Sequence, residues 1–228
     1  MKNSMIIIKK QLKDTLKNKT ILIQFILFPI MALIMEHAIQ MVGMPEYFFT
    51  KLFSIMYIGM APLTSVAAII SEEKEKNTLR VLLMANMKPW QYLIGVGIYV
   101  WAICMIGAGV MATSLPKQNI AVYLIIMAVG FVISILIGAS IGIYAKNQMS
   151  ATSLVMPVMM IFSFLPMLAM FNEKIERVAK LFFTQQLKLC LNDMSVMGHP
   201  NETYIVLLVN VIITIIIFEV TFKKKGLE

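Results

Sequence analysis

Charged side chains are scarce in this sequence: Asp, Glu, Lys and Arg together make up 14% of its 228 residues. So few polar groups cannot cover a soluble globule of that length, which excludes a water-soluble domain. Histidine and cysteine occur twice each. Cys104 and Cys190 sit in unlike surroundings without the spacing of a metal site, so both read as unpaired apolar residues, and neither a metal site nor a catalytic cluster is expected. A G-x-x-x-x-G-K-[ST] loop is also missing, so any ATP hydrolysis has to come from another polypeptide. The opening residues, MKNSMIIIKKQLKD, contain no apolar core of signal-peptide length ending in a cleavage site, and no removed leader is expected.

Apolar residues fill the chain instead, at 59% hydrophobic and a mean hydropathy of +0.82. The apolar runs are long enough for helices to cross a hydrocarbon core of ~30 Å, so an all-α integral membrane protein is expected. The net charge of +8 then bears on orientation rather than on nucleic acid, because the cations mark the loops that stay inside.

Residues 2–19 carry six lysines against one acid, Asp14, while Met5, Ile8, Leu12 and Leu16 recur at helical spacing. This predicts a basic amphipathic helix over 1–19 on the cytosolic leaflet. Six spans follow, at 20–41, 48–70, 92–114, 120–145, 150–170 and 204–220. Pro29 lies inside the first, where a neighbouring group must satisfy the backbone carbonyl it frees. Glu36 and His37, one turn from that span's outer end, are either substrate-path candidates or groups that snorkel to the headgroups. The fourth span places Gly130, Ser134, Gly138 and Gly142 four residues apart, a small-residue face for helix packing within or between subunits. Residues 172–201 are too long for a turn yet keep apolar positions, which suggests one or two short helices in an outer, re-entrant or interfacial hairpin.

Six spans return both termini to one side. That side would hold the six N-terminal lysines, four cations between Ser71 and Trp90, Lys146 and Lys223 to Lys225; the other would hold Lys51, Lys117, Lys174, Arg177, Lys180 and Lys188. The bias places both termini and the 71–90 loop in the cytosol.

That loop, SEEKEKNTLRVLLMANMKPW, is a polar island between two apolar segments. Three acids and two lysines fall within Glu72 to Lys76, and Leu79, Leu82 and Leu83 then share a helical face at i, i+3 and i+4. Such a helix can lie beside the membrane, its leucines anchoring a soluble partner while its charges set register.

The run Glu72 to Leu83, an acidic stretch followed by Asn-Thr-Leu and a leucine pair, resembles the permease subunit of ABC-2-type ABC transporters, as does Lys88-Pro89-Trp90-Gln91-Tyr92-Leu93-Ile94-Gly95 at the entry to span three. The resemblance covers essentially the whole chain. Asn77 stands where that family usually has Gly, and Val96 where a Lys commonly follows the glycine. The resemblance implies a coupling helix that docks on a separate ATP-binding subunit carrying ATP and Mg²⁺, with Glu72, Glu73, Glu75, Thr78, Leu79, Arg80, Leu82 and Leu83 as the docking surface. It also implies a second permease copy, or a related permease, and a pathway for export across a bacterial inner (plasma) membrane. With little charge at mid-depth, the cargo is expected to be apolar or amphipathic (a drug, peptide or lipid-like molecule) or an ion.

Two other classes compete with this reading. The Glu72-Glu73 pair is similar to the paired glutamates of intramembrane CAAX-type proteases, but Asn77 stands where those enzymes carry an Arg, and His37 and His199 lie toward the opposite side. An ATP-independent protein, either an ion-coupled secondary transporter or a non-transport immunity or scaffold protein, is the alternative. For a secondary transporter, the midplane acids and internal repeats that such proteins show are not evident.

Overall fold

In a computed structural model, residues 5, 7–12, 19–39, 43–85, 87–196 and 198–225 are described. They form helices and connecting turns, with no strand among them. The elements are α1 (Lys19–Ala38), α2 (Phe48–Glu75), α3 (Thr78–Met84), α4 (Pro89–Ala112), α5 (Lys117–Tyr144), α6 (Gln148–Leu168), α7 (Glu173–Ala179), α8 (Phe183–Asp193) and α9 (Asn201–Lys225). Residues 7–12 are helical as well.

Five helices, α2, α4, α5, α6 and α9, are long and apolar enough to cross a membrane. The apolar part of α1, Leu22–Ala38, is shorter, at the lower end of the length a span needs. The expected outer segment contains two short helices, α7 and α8. Its boundaries follow from local chemistry: Asn172 caps α7 by accepting from the Lys174 and Ile175 amides, and Met194 closes α8 in a left-handed conformation. Asn147 caps α6 in the same manner as Asn172 does α7, through the Ser150 amide.

The bundle is built around α2, which packs against α1, α4, α5, α6 and α8. In its most apolar 18-residue window 72% is buried, against 6% for α9, so α9 lies at the periphery. Lipid tails are as apolar as leucine and supply no hydrophobic drive between helices, so close approach and internal hydrogen bonds must hold the bundle together. Gly138 supplies the first: a Cβ there would stand 2.4 Å from the Leu63 carbonyl oxygen. Its neighbours on the same face, Gly130 and Gly142, abut Ile58 and Ile70. The small-residue face of α5 is therefore turned inward onto α2.

Hydrogen bonds supply the second, and two of them answer prolines. Pro29 leaves the Phe25 carbonyl without its helical donor, and the Tyr57 hydroxyl donates to that oxygen at 3.2 Å. Pro62 does the same to Ile58, whose carbonyl accepts from Ser134 Oγ at 2.7 Å. Cys104 and Cys190 are free and buried.

Candidate partner-docking site at the polar end of the bundle

The second span runs past its expected end as one continuous helix to Glu75, since Glu and Lys are good helix formers. Lys76 and Asn77 then stop it. Asn77 has φ +55°, the left-handed conformation that Gly or Asn adopts at a helix C-terminus. The Asn77 amide donates to the Lys74 carbonyl, and the Val81 amide to the Asn77 carbonyl. One residue thus ends α2 and starts α3, folding the short helix back against the bundle.

The face that α3 turns inward is the leucine face. Leu79 is buried and Leu82 half-buried, both joining the apolar cluster that contains Ile7, Met87 and Tyr92. The side chain of Leu83 lies outside the described residues. On the opposite face Val81 is 64% and Met84 71% exposed, and Arg80 is exposed beside them. The leucine pattern points to the inner side of this helix. The outer apolar pair, three residues apart, is just as visible in the sequence, but nothing there distinguishes it from residues that simply fill the helix.

The acidic run at the α2 terminus acts largely within the chain. Glu72 pairs with Lys76 one turn on, at 2.5 Å. Glu73 is buried and accepts from Gln11 Nε2 at 2.6 Å and from the Lys10 ammonium, while the fully buried Tyr92 side chain lies beside it. Lys74 Nζ donates to the Ile143 carbonyl at 2.7 Å, at the C-terminal end of α5 where a cation is favoured. Glu75 Oε2 accepts from the Gln148 amide at 2.9 Å, at the N-terminal end of α6 where an anion is favoured. Three consecutive side chains therefore tie the root of α3 to three separate elements. Glu75 and Thr78 keep part of their surface in the open.

The N-terminal helical segment contributes through Ile7 and Gln11, which face the bundle, whereas Met5 and Leu12 are exposed. Leu16 and the rest of 13–18 lie outside the described residues. Sequence reasoning misses Lys10 and Gln11, because nothing local marks a pairing across more than sixty residues.

At the opposite end, Glu36 accepts from the backbone amide and the hydroxyl of Thr50, at 2.8 and 3.1 Å. It caps the first turn of α2 from a neighbouring helix. His37 is exposed, its Nδ1 placed 2.8 Å from the Leu33 carbonyl.

A bundle of long apolar helices with a charged cluster at one end defines a multi-pass membrane protein. Its sequence matches a family model described as "ABC-2 family transporter protein" over residues 2–222, and the chain belongs to that family. No curated protein matches it. Membership makes this the membrane subunit type of an ABC transporter and implies an ABC ATP-binding partner in general.

Proposed function

We propose that this chain is the permease subunit of an ABC exporter, and that a separate ATP-hydrolysing subunit docks on the outer face of α3. The observation that supports this most directly is the pair Val81 and Met84, exposed beside Arg80 on a helix whose other face is anchored in the core. Exposed apolar anchors rimmed by charge are what a docking helix offers a groove. Glu72, Glu75 and Thr78 would set register at the rim, while Glu73, Leu79 and Leu82 would act from beneath by holding the helix in place. Sidedness follows from the charge census, with α3 and both termini in the cytosol.

Coupling would run through the ties at the root of α3. A push on α3 reaches α5 through Lys74, α6 through Glu75 and the N-terminal segment through Glu73. A second copy of the chain would cover the outward faces of α1 and α6, where Ile26, Ile30, Met156 and Met160 are exposed, and the pathway would lie between the two. The cargo on this reading is apolar or amphipathic, moved outward.

The test is retention of the cognate ATPase by purified permease, together with stimulation of its ATP hydrolysis in proteoliposomes. Val81→Asp with Met84→Asp should lower both by roughly tenfold or more, the scale of losing one interface hot spot, without lowering the permease's melting temperature. Full retention and stimulation would sink the proposal.

A further inference from the structure

The end of the bundle remote from α3 holds a cavity of about 290 Å³ between the start of α2, the end of α6 and α8. Its walls are apolar, formed in part by Phe48, Leu52, Pro166 and Met170, yet two ammonium groups, Lys51 and Lys188, line it. Among the described residues no carboxylate lines it. Lys51 Nζ donates to the Asn192 carbonyl at 3.1 Å, and Lys188 Nζ to the Pro166 carbonyl at 2.7 Å. Each uses one of its three N–H donors in these bonds. Both acceptors lie in the last turn of a helix, so each lysine also meets the negative end of a helix dipole, worth roughly half a charge. Two full positive charges less about two halves leave about one net positive charge in the lining.

Carboxylates on neighbouring segments are engaged elsewhere or, like Glu173 of α7, exposed. Glu36 is bonded to Thr50, Glu176 pairs with Lys180 and Asp193 faces His199; Glu46 is exposed on the turn before α2. Among the described residues no acid forms an ion pair with Lys51 or Lys188. Burial lowers the Lys188 ammonium from its usual value, against a smaller opposing pull from Glu176, as expected for a cation held in an apolar wall.

We propose that this cavity binds a monoanionic phospholipid of the surrounding leaflet, its phosphodiester between Lys51 and Lys188 and the start of an acyl chain along Phe48, Leu52 and Met170. The charge fits one phosphodiester, and the volume lies at the lower end of small-molecule pockets, ~300 Å³, so it holds a headgroup with a few methylenes rather than a whole lipid. The position suits this source: Phe48 opens one membrane-length helix and Leu168, two residues before Met170, closes another, which puts the cations at headgroup depth. In this site the lysines retain lipid; the α3 docking face plays no part.

The experiment is native mass spectrometry of the full chain released from nanodiscs of equal phosphatidylglycerol and phosphatidylcholine. The wild type should keep phosphatidylglycerol selectively, and Lys51→Gln with Lys188→Gln should reduce that selectivity by roughly tenfold or more, two lysines' contribution. Lys117→Gln, an exposed lysine at the same end, should not. Equal retention of both lipids by the wild type, or undiminished selectivity in the double variant, overturns the proposal, including where the variant only melts earlier. Displacement of phosphatidylglycerol by inorganic phosphate would also overturn it, by showing a site for a free anion. The readout needs neither ATP nor the partner subunit, so its failure leaves the docking proposal standing, and the converse holds.

Discussion

Ser134 of α5 donates its hydroxyl hydrogen to the Ile58 carbonyl at 2.7 Å, and Ile58 is the residue whose helical donor Pro62 removes. The serine therefore does more than allow two helices to approach. It satisfies a backbone group that would otherwise lie bare in the core, where such a group costs about 1–3 kcal/mol. Ser134→Ala should destabilise the protein by about that amount in detergent. In a Pro62→Ala background, where the new backbone amide at position 62 can supply the missing bond, the same change should cost much less. A double-mutant cycle on melting temperature should then give a coupling of the order of 1 kcal/mol. Additive effects would show that the proline and the serine are independent.

Asn77 carries the reversal between α2 and α3 at φ +55°. Asn77→Gly should be neutral or mildly stabilising, because Gly adopts this conformation freely. Asn77→Val should cost ~1–2 kcal/mol or more, since a β-branched side chain is strained there. Circular dichroism melts report the stability, and partner retention reports whether α3 keeps its pose. An Asn77→Val protein as stable as the wild type would mean that α3 is held by its packing alone.

Much of the fold is legible in the sequence because span-length apolar runs are its strongest signal. The small residues of α5 are visible at four-residue spacing, and Pro29 announces a carbonyl that needs a donor. What sequence cannot show is the donor. Tyr57 lies on the next helix along the chain, and nothing local links it to Pro29. The polar island is legible as an island, but its inside and outside are not, since Leu79 and Val81 are both apolar and only tertiary packing decides which one is covered. The role of Glu73 is hidden for the same reason: a carboxylate in a charged run reads as solvated until the segment that covers it, residues 7–12, is in place. Lys51 and Lys188 read from sequence only as outer cations, and their shared cavity exists because the chain returns from α6 through α8.

The contact of Gly138 with α2 can be tested by adding one carbon. A Cβ at 138 would sit 2.4 Å from a backbone oxygen of Leu63, an atom that cannot swing away, whereas at Gly109 no atom of the described residues beyond its own stretch of helix lies within 4 Å. Gly138→Ala should destabilise by about 1–3 kcal/mol through overpacking. Gly109→Ala should be neutral or stabilising by up to about 1 kcal/mol from helix propensity. Equal thermal shifts for the two variants would contradict the close approach.

Glu73 links the N-terminal segment to the root of α3, and its burial fixes how a break should behave. Removing the carboxylate takes this acceptor away from Gln11 and from the Lys10 ammonium, while removing Lys10 leaves a buried carboxylate with a neutral donor. Breaking one side of a buried pair costs about 3–5 kcal/mol when desolvation is complete, and less here because Lys10 keeps 29% of its side-chain surface in the open. Glu73→Ala should therefore lower the melting temperature and also release residues 7–12, which limited trypsin digestion at Lys9 and Lys10 would detect as faster cleavage. Glu73→Gln keeps an acceptor for Gln11 and should fall between. Lys76→Ala breaks the Glu72 pair, an exposed i,i+4 contact worth ~0.3–0.5 kcal/mol, and should leave cleavage at Lys9 and Lys10 unchanged. If Glu73→Ala and Lys76→Ala gave the same digestion rate, the segment would be held by contacts other than the Glu73 pairing, the packing of Ile7 and Ile8 among them. In that case Glu73 could not carry motion from α3 to the N-terminus.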